Sequence, residues 1–377
     1  MSSKIKISVL CHDLSHNCLG RAYILAAVLQ RYYEVEIVGP AKDGKIWAPL
    51  RGDQSIKYKI LTSKNWYKNS RLIDGDIIYA SKIKGASLGY ALIKKITSRK
   101  PLILDIDDWD FGFFLDAPLL NKIYDATRFW NSNNSIYTWL LEKFVGRADT
   151  ITVSNSFLKK RFGGTLIPHF RDTNQFQPKK FNQLKVKKEL GLEGQKIVLF
   201  LGTPHRHKGI LDLITAVERL QRKDVTLLII GASQRDKKRL PRKMFLKVRG
   251  PQPFDEIPRF LALADLVVLF QANSKAAQGQ LPAKIFDAMS MAKPIIASSV
   301  SDLPGVLEGC GEIVEPGDVD NLTKKMSELL NNPKYALELG ERARQKCIEE
   351  YSYDAIAPKL HAVVGEVLAK VRETAKA

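Results

Sequence analysis

GQLPAKIFDAMSMAKPIIASSVSDLPG, residues 279–305, joins a polar loop, a helix and a buried strand in one unit. The loop 279–282 offers backbone N–H groups, and a helix beginning near Ala283 turns the positive end of its dipole toward whatever sits there, which favours a phosphate. Lys284 adds a full charge. One helical turn further on, Asp287 is placed to accept hydrogen bonds from a vicinal diol, the role of a carboxylate toward ribose in nucleotide-binding folds. Pro294 ends the helix, and 295–297 reads as a short buried strand. An ordinary buried helix and strand would also produce Ala-Met-Ser-Met-Ala-Lys-Pro, so the rest of the chain has to decide.

A length of 377 residues exceeds one ordinary α/β core and fits two domains. Hydrophobic residues at 45% and charged residues at 26% are globular composition and exclude a disordered chain or a coiled coil. No apolar run approaches the ~18–20 residues of a membrane span, and the start lacks the apolar core of a signal peptide. The expected location is the cytoplasm. Cys11, Cys18, Cys310 and Cys347 show no metal-ligand or paired-disulfide spacing, which suits a reducing compartment.

The formal net charge of +19 is more than solubility requires and points to an anionic neighbour. Basic residues gather at 94–100 and 159–161, and most densely at 235–249, where eight Lys or Arg accompany one Asp. Each cluster is read either as a solvated face or as a contact with an anionic membrane or nucleic acid. Between Trp109 and Arg147 the chain turns aromatic, with Phe111, Phe113, Phe114, Phe129, Trp130, Tyr137, Trp139 and Phe144. Packed helices of a first domain account for this stretch, and so does a greasy surface for a lipid-linked substrate or a membrane interface.

Strands at 4–10, 35–38, 76–80 and 101–106 alternate with helices at 22–32 and 88–96, which predicts a mainly parallel sheet. A second such unit begins at the strand 197–201 and continues with the helix 210–221, the strand 226–230, the helix 257–264 and the strand 266–270. The Lys-rich segment 177–188 reads as a connection. Two amphipathic helices, 334–351 and 355–374, end the chain.

Gly202-Thr-Pro-His-Arg-His-Lys-Gly209 follows a buried strand and opens a helix, so its charges belong at the carboxyl end of a sheet. Such cations suit a phosphate group and would stabilise negative charge developing on it. Arg206 and Lys208 are therefore candidate catalytic residues. His205 and His207 without a third ligand make a weak metal site, and no metal or cofactor is expected. In the first half, Asp105-Ile-Asp-Asp-Trp-Asp110 follows a strand in the same way, as do His12, His16, Gly20 and Arg21. The acids are read as loop caps, or as carboxylates that hold a ligand hydroxyl or take its proton. Gly20 at a helix start allows close backbone approach to a ligand.

These motifs resemble the retaining GT-B glycosyltransferases of family four. The 279–305 unit is similar to that family's donor-site helix, Glu-x7-Glu-Ala-Met-Ala-x-Gly-x-Pro-Val-Ile-Ala, with Asp287 at the second Glu and Gly279 at the first. The loop 202–209 resembles Gly-Arg-x-x-x-x-Lys-Gly, with Thr203 at the Arg and Arg206 supplying the charge. Residues 148–154 and 166–176 resemble the paired signatures that close the family's first domain. The resemblance implies an α/β GT-B fold of two Rossmann-like doubly wound domains facing an interdomain cleft. Its parts would be an acceptor domain over 1–176, a linker over 177–195, a nucleotide-sugar domain over 196–350, and a helix over 351–377 crossing back to the first domain.

It further implies transfer of a sugar from a UDP-, GDP- or dTDP-sugar to a glycan or lipid-linked acceptor, with peripheral contact at the inner face of an anionic membrane. Donor contacts would come from Gly202, Thr203, Lys208, Gly209, Gln280, Leu281, Lys284 and Asp287. The acceptor or phosphate loop would hold His16, Gly20 and Arg21, and Asp107 would stand where relatives carry a His near the sugar. Retention of configuration is implied by the resemblance alone, and Gly279 removes one carboxylate of the pattern. That substitution keeps a non-catalytic GT-B-like subunit as the alternative. A basic nucleic-acid-binding protein is the third reading, and no recognition motif supports it.

Overall fold

The computed structural model describes residues 4–63 and 65–376, without the side chains of 206 and 374–376. The chain folds into two units. The first is Met1–His169 with Gly279–Leu281 and Asp354–Ala377, and the second is Phe170–Gln278 with Pro282–Tyr353.

The first unit is built on β1 (Lys6–Cys11), β2 (Glu34–Pro40), β3 (Lys57–Leu61), β4 (Ile77–Ser81), β5 (Leu102–Ile106), β6 (Thr150–Val153) and β7 (Thr165–Leu166). They pair in the order β3-β2-β1-β4-β5-β6-β7, every neighbour parallel. The central strands are apolar on both faces because helices cover both, which explains why Ile-Ile-Tyr-Ala-Ser and Leu-Ile-Leu-Asp-Ile are buried throughout. Leu10, Ile78, Leu104 and Val153 belong to one packed cluster on this sheet.

The second unit repeats the plan with β8 (Lys196–Leu201), β9 (Val225–Ile230), β10 (Leu246–Arg249), β11 (Leu266–Leu269), β12 (Ile295–Ser298) and β13 (Glu312–Val314). Their order is β10-β9-β8-β11-β12-β13, again parallel. Its core joins Val198, Leu227, Val268 and Ile296 to Leu213 and Val217 of the helix Ile210–Arg219. In both sheets the strand order reverses, between β1 and β4 and between β8 and β11. Open α/β sheets bind ligands outside the carboxyl ends of strands at such points. The loops after β1, β4, β8 and β11 are therefore the ones that matter.

The structure departs from the sequence reading in three strands and one connection. β3 and β10 are edge strands whose lysines and arginine alternate with half-buried apolar residues, and β7 has two residues. Charges on an edge discourage pairing with another chain, which explains part of the 235–249 cluster. The stretch 177–195 is no free linker: the helix Gln183–Glu189 buries Val186 and Lys187, and the Lys187 ammonium lies 2.6 Å from Asp265. The last helix, Tyr353–Lys376, groups from Asp354 onward with the first unit, where Tyr33 Oη lies 2.8 Å from His361 Nδ1. No helix is long and apolar enough to cross a membrane among the described residues.

Candidate functional site

In the second unit the loop after β8 is built by two glycines. Gly202 has φ of 133°, donates its N–H to the Ile230 carbonyl at 2.7 Å, and brings the place of its absent Cβ within 3.6 Å of Lys208 Nζ. The Lys208 ammonium thus folds back over the end of β8. Gly209 has φ of 57°, and a Cβ there would stand 2.0 Å from the Phe270 carbonyl oxygen, so no other residue fits without moving the strand exit beside it. Ala272 donates its N–H to the His207 carbonyl at 2.9 Å, fastening the loop to the segment that follows β11. The rings of His205 and His207 stack with centroids 5.5 Å apart. The side chain of Arg206 lies outside the described residues.

The helix Lys284–Ser290 carries Asp287 on its inner side, with no exposed surface. Arg171 Nε donates to Asp287 Oδ1, and Lys284 Nζ lies 3.4 Å from Oδ2. Burial works against the charged carboxylate, but Arg171 and Lys284 outweigh it and hold the Asp287 carboxyl below its usual range. Arg171 is itself fixed by a hydrogen bond to the Phe170 carbonyl at 2.9 Å and lies over the Phe254 ring. The carboxylate expected to meet a ribose thus faces these two cations.

In the first unit the ends of β4 and β5 meet around Lys82. This residue has φ of 79°, uncommon outside glycine, and is buried. Its ammonium lies 2.8 Å from Asp107 and 2.6 Å from Asp108, while Lys84 lies 3.6 Å from Asp110. Burial, together with the Asp108 and Asp105 carboxylates, pushes Asp107 up to about 7 against the pull of Lys82. Lys82 itself is raised by the three acids around it despite burial. Gly279–Leu281 groups with this unit. Trp109 donates its N–H to the Gly279 carbonyl at 3.0 Å, and Gln280 Nε2 donates to Asp108 Oδ1 at 3.0 Å. A Cβ on Gly279 would stand 2.5 Å from Trp109 Cβ, so this close backbone approach excludes a side chain at the position of the missing Glu.

Arg21, expected in the acceptor or phosphate loop, has internal partners. Its guanidinium is buried and gives Nε and Nη2 to Asp105 at 2.9 and 2.8 Å and further N–H groups to the carbonyls of Ile167 and Pro168. That arrangement ties the helix Leu19–Leu29 to β5. Gly20 meets only the Trp47 ring, at 3.7 Å from a notional Cβ, so space does not demand glycine there. His16 is exposed in the same loop, and the Cys11 and Cys18 sulfurs lie 3.7 Å apart as free thiols.

Residues 195–332 match the family described as "Glycosyl transferases group 1". They begin one residue before β8 and end one residue after the helix Val319–Asn331, so the match frames the whole second sheet. Over this segment the chain is similar to the group 1 glycosyl transferases. Among curated relatives, an MMP alpha-(1->4)-mannosyltransferase of Mycolicibacterium hassiacum is 27% identical over 55% of this chain and 49% of that protein. An N-acetyl-alpha-D-glucosaminyl L-malate synthase of Bacillus anthracis is 22% identical over 76% of this chain and 73% of that one. The chain thus spans about half the length of the first relative and most of the second. HepE of Anabaena, solved with UDP-glucose, superposes with a TM-score of 0.74 at 17% identity, covering 96% of this chain and 99% of its own. The fold is GT-B.

Within the matched segment, Gly202, Thr203, Lys208 and Gly209 share one loop and Lys284 shares a helix with Asp287. Gln280 and Leu281 group with the first unit, Leu281 almost wholly buried. Sequence reasoning missed Arg171, Lys82 and Lys84. Each follows a strand or a signature that had been recognised: Lys82 stands just past β4, and Arg171 lies inside the segment 166–176. Asking which charge leaves each strand end would have found Lys82. Nothing in the sequence announced that Arg171 meets Asp287.

Proposed function

We propose that the protein transfers a sugar from a nucleotide-diphosphate sugar (a UDP-, GDP- or dTDP-sugar) to a hydroxyl of a glycan or lipid-linked acceptor. The setting is cell-surface polysaccharide or glycolipid synthesis, in the cytoplasm at the inner face of the membrane. One observation carries the reading: Lys208 folds over Gly202 at the end of β8, where the strand order reverses. A cation so placed meets the diphosphate and stabilises the charge that develops as it leaves. Arg206 supplies further charge, Thr203 and Gly209 shape the loop, and Lys284 holds phosphate or sugar.

In the first unit Asp107 is the group for the acceptor. A carboxyl raised to about 7 beside Lys82 accepts a hydrogen bond from a sugar hydroxyl when ionised, and takes its proton if the reaction inverts. His16, exposed on the loop after β1, contacts the acceptor.

The test is a thermal-shift screen with UDP, GDP, dTDP and their sugars on the wild type and on Lys208→Ala. A ligand at a hundred times its dissociation constant stabilises by ~2.7 kcal/mol, so one nucleotide should raise the midpoint and the variant should lose the rise. The absence of a shift with every nucleotide would sink the reading. A shift without turnover of the matching nucleotide sugar would favour the non-catalytic subunit, which Gly279 keeps in view.

A further inference from the structure

The helix Leu119–Thr127 is amphipathic in the inverted sense. Leu119, Leu120, Ile123 and Tyr124 form one face at helical spacing and are exposed by 71, 79, 54 and 65%, and no residue of the helix is buried. Its two charged side chains are partly buried and engaged by neighbouring segments: Lys122 Nζ donates to the Leu115 carbonyl at 2.8 Å, and Asp125 accepts the Ser135 N–H at 2.8 Å. A helix that packs on a water-soluble core does the reverse. The connecting loop continues the surface with Phe129 and Trp130, which are T-shaped to one another and exposed by 70 and 72%. Ile136, Trp139 and Leu140 on the helix Ser135–Glu142 extend it at the next helical stripe.

These elements are held in place. Tyr137 Oη donates to the Phe129 carbonyl at 2.9 Å and Asn134 Nδ2 to the Arg128 carbonyl at 3.1 Å, so the apolar loop is fixed outward by its own hydrogen bonds.

The charges identify the occupant. Between Leu119 and Arg147 the acids are Asp125 and Glu142. Asp125 is engaged as above, and Glu142 takes Trp109 Nε1 and Arg161, each at 2.9 Å. Two of the bases sit beside exposed rings: Lys143 Nζ lies 4.0 Å from the Trp139 centroid and Arg128 lies over Tyr124. Aliphatic side chains, interfacial Trp and Tyr, and cations without acid competition match the boundary between acyl chains and anionic headgroups. A symmetric contact with a second copy would set the same cations against each other.

We infer that the helix-loop-helix around Phe129 and Trp130 is the surface by which this protein docks on an anionic lipid bilayer, entering its headgroup and acyl boundary. The inference deepens the proposed reading and rests on it only for the lipid-linked acceptor. It assigns docking to this segment and leaves the basic stretch 235–249, where Lys237, Arg242 and Lys243 line a cavity of about 480 Å³ with Leu240 and Met244, outside the contact.

Sedimentation with phosphatidylcholine vesicles, with and without phosphatidylglycerol, tests it on the full chain. The wild type should bind only the vesicles containing phosphatidylglycerol. Phe129→Ser with Trp130→Ser should lower that binding about tenfold, and Arg242→Glu with Lys243→Glu should leave it unchanged. Quenching by brominated acyl chains should fall in the conservative variants Trp130→Phe and Trp139→Phe. Loss with the charge reversal but not with the serine pair would overturn the assignment. So would absence of vesicle binding, or self-association removed by the serine pair. The nucleotide shift on the same proteins separates the two ideas: vesicle binding lost with the shift intact overturns this surface alone, and the reverse overturns only the donor reading.

Discussion

Asp105 has no exposed surface, and its carboxylate takes both faces of the Arg21 fork as well as the Thr152 hydroxyl at 2.8 Å. Removing one partner of such a pair leaves an uncompensated charge in the interior, which costs ~3–5 kcal/mol. Asp105→Ala should therefore lower the unfolding free energy by that order, and Arg21→Met together with Asp105→Ala should recover part of it. Chemical denaturation of the two variants decides this; Asp105→Ala as stable as the wild type would show that the pair carries no weight. Two residues away, Asp107 has the opposite tendency. Its folded pKa of about 7 stands above the ordinary 3.8, so between those values the folded state binds more protons than the unfolded one. Its contribution to stability is then present at low pH and lost as pH rises through about 7. Asp107→Asn should flatten that slope in midpoints measured from acid to neutral pH, and an unchanged slope would count against the shift.

At the scale of elements, the loop 202–209 and the helix Ile210–Arg219 depend on Gly209. Alanine there needs a left-handed backbone and meets the Phe270 carbonyl, so Gly209→Ala should cost roughly 1–3 kcal/mol through strain and crowding and weaken nucleotide binding by displacing Lys208. A variant with wild-type midpoint and nucleotide shift would refute the close approach. The same elements show what a sequence can tell. β8, β9, β11 and β12 were readable because central parallel strands must be apolar on both faces. β3 and β10 were not, because an edge strand half exposed and dotted with lysine looks like any charged loop. The aromatic stretch 109–147 was legible as composition only. Whether Leu119 and Ile123 faced the core or the solvent depended on where Lys122 and Asp125 found partners, and those partners lie in neighbouring segments. At the site, Lys208 and Gly209 were visible in one contiguous loop. The pairings of Asp287 with Arg171 and of Lys82 with Asp107 join residues distant in sequence, and no periodicity reports them.

Over the whole molecule, one six-strand order is built twice from different residues, with β7 added at the edge of the first sheet, and each sheet has its own apolar cluster. The chemistry is divided between them: the cations suited to a diphosphate lie on the second sheet's loops, while the buried acids with Lys82 lie on the first's. If that division reflects use, a donor nucleotide should act on the second unit and not spread evenly over the chain. Bound ligand removes local openings where it touches the backbone. The nucleotide that raises the thermal midpoint should therefore slow amide hydrogen exchange in the loop 202–209 and the helix Lys284–Ser290, and leave the amides of β1, β2 and β4 exchanging as before. Protection centred instead on the strands of the first unit would place the nucleotide there and remove Lys208 from its proposed role.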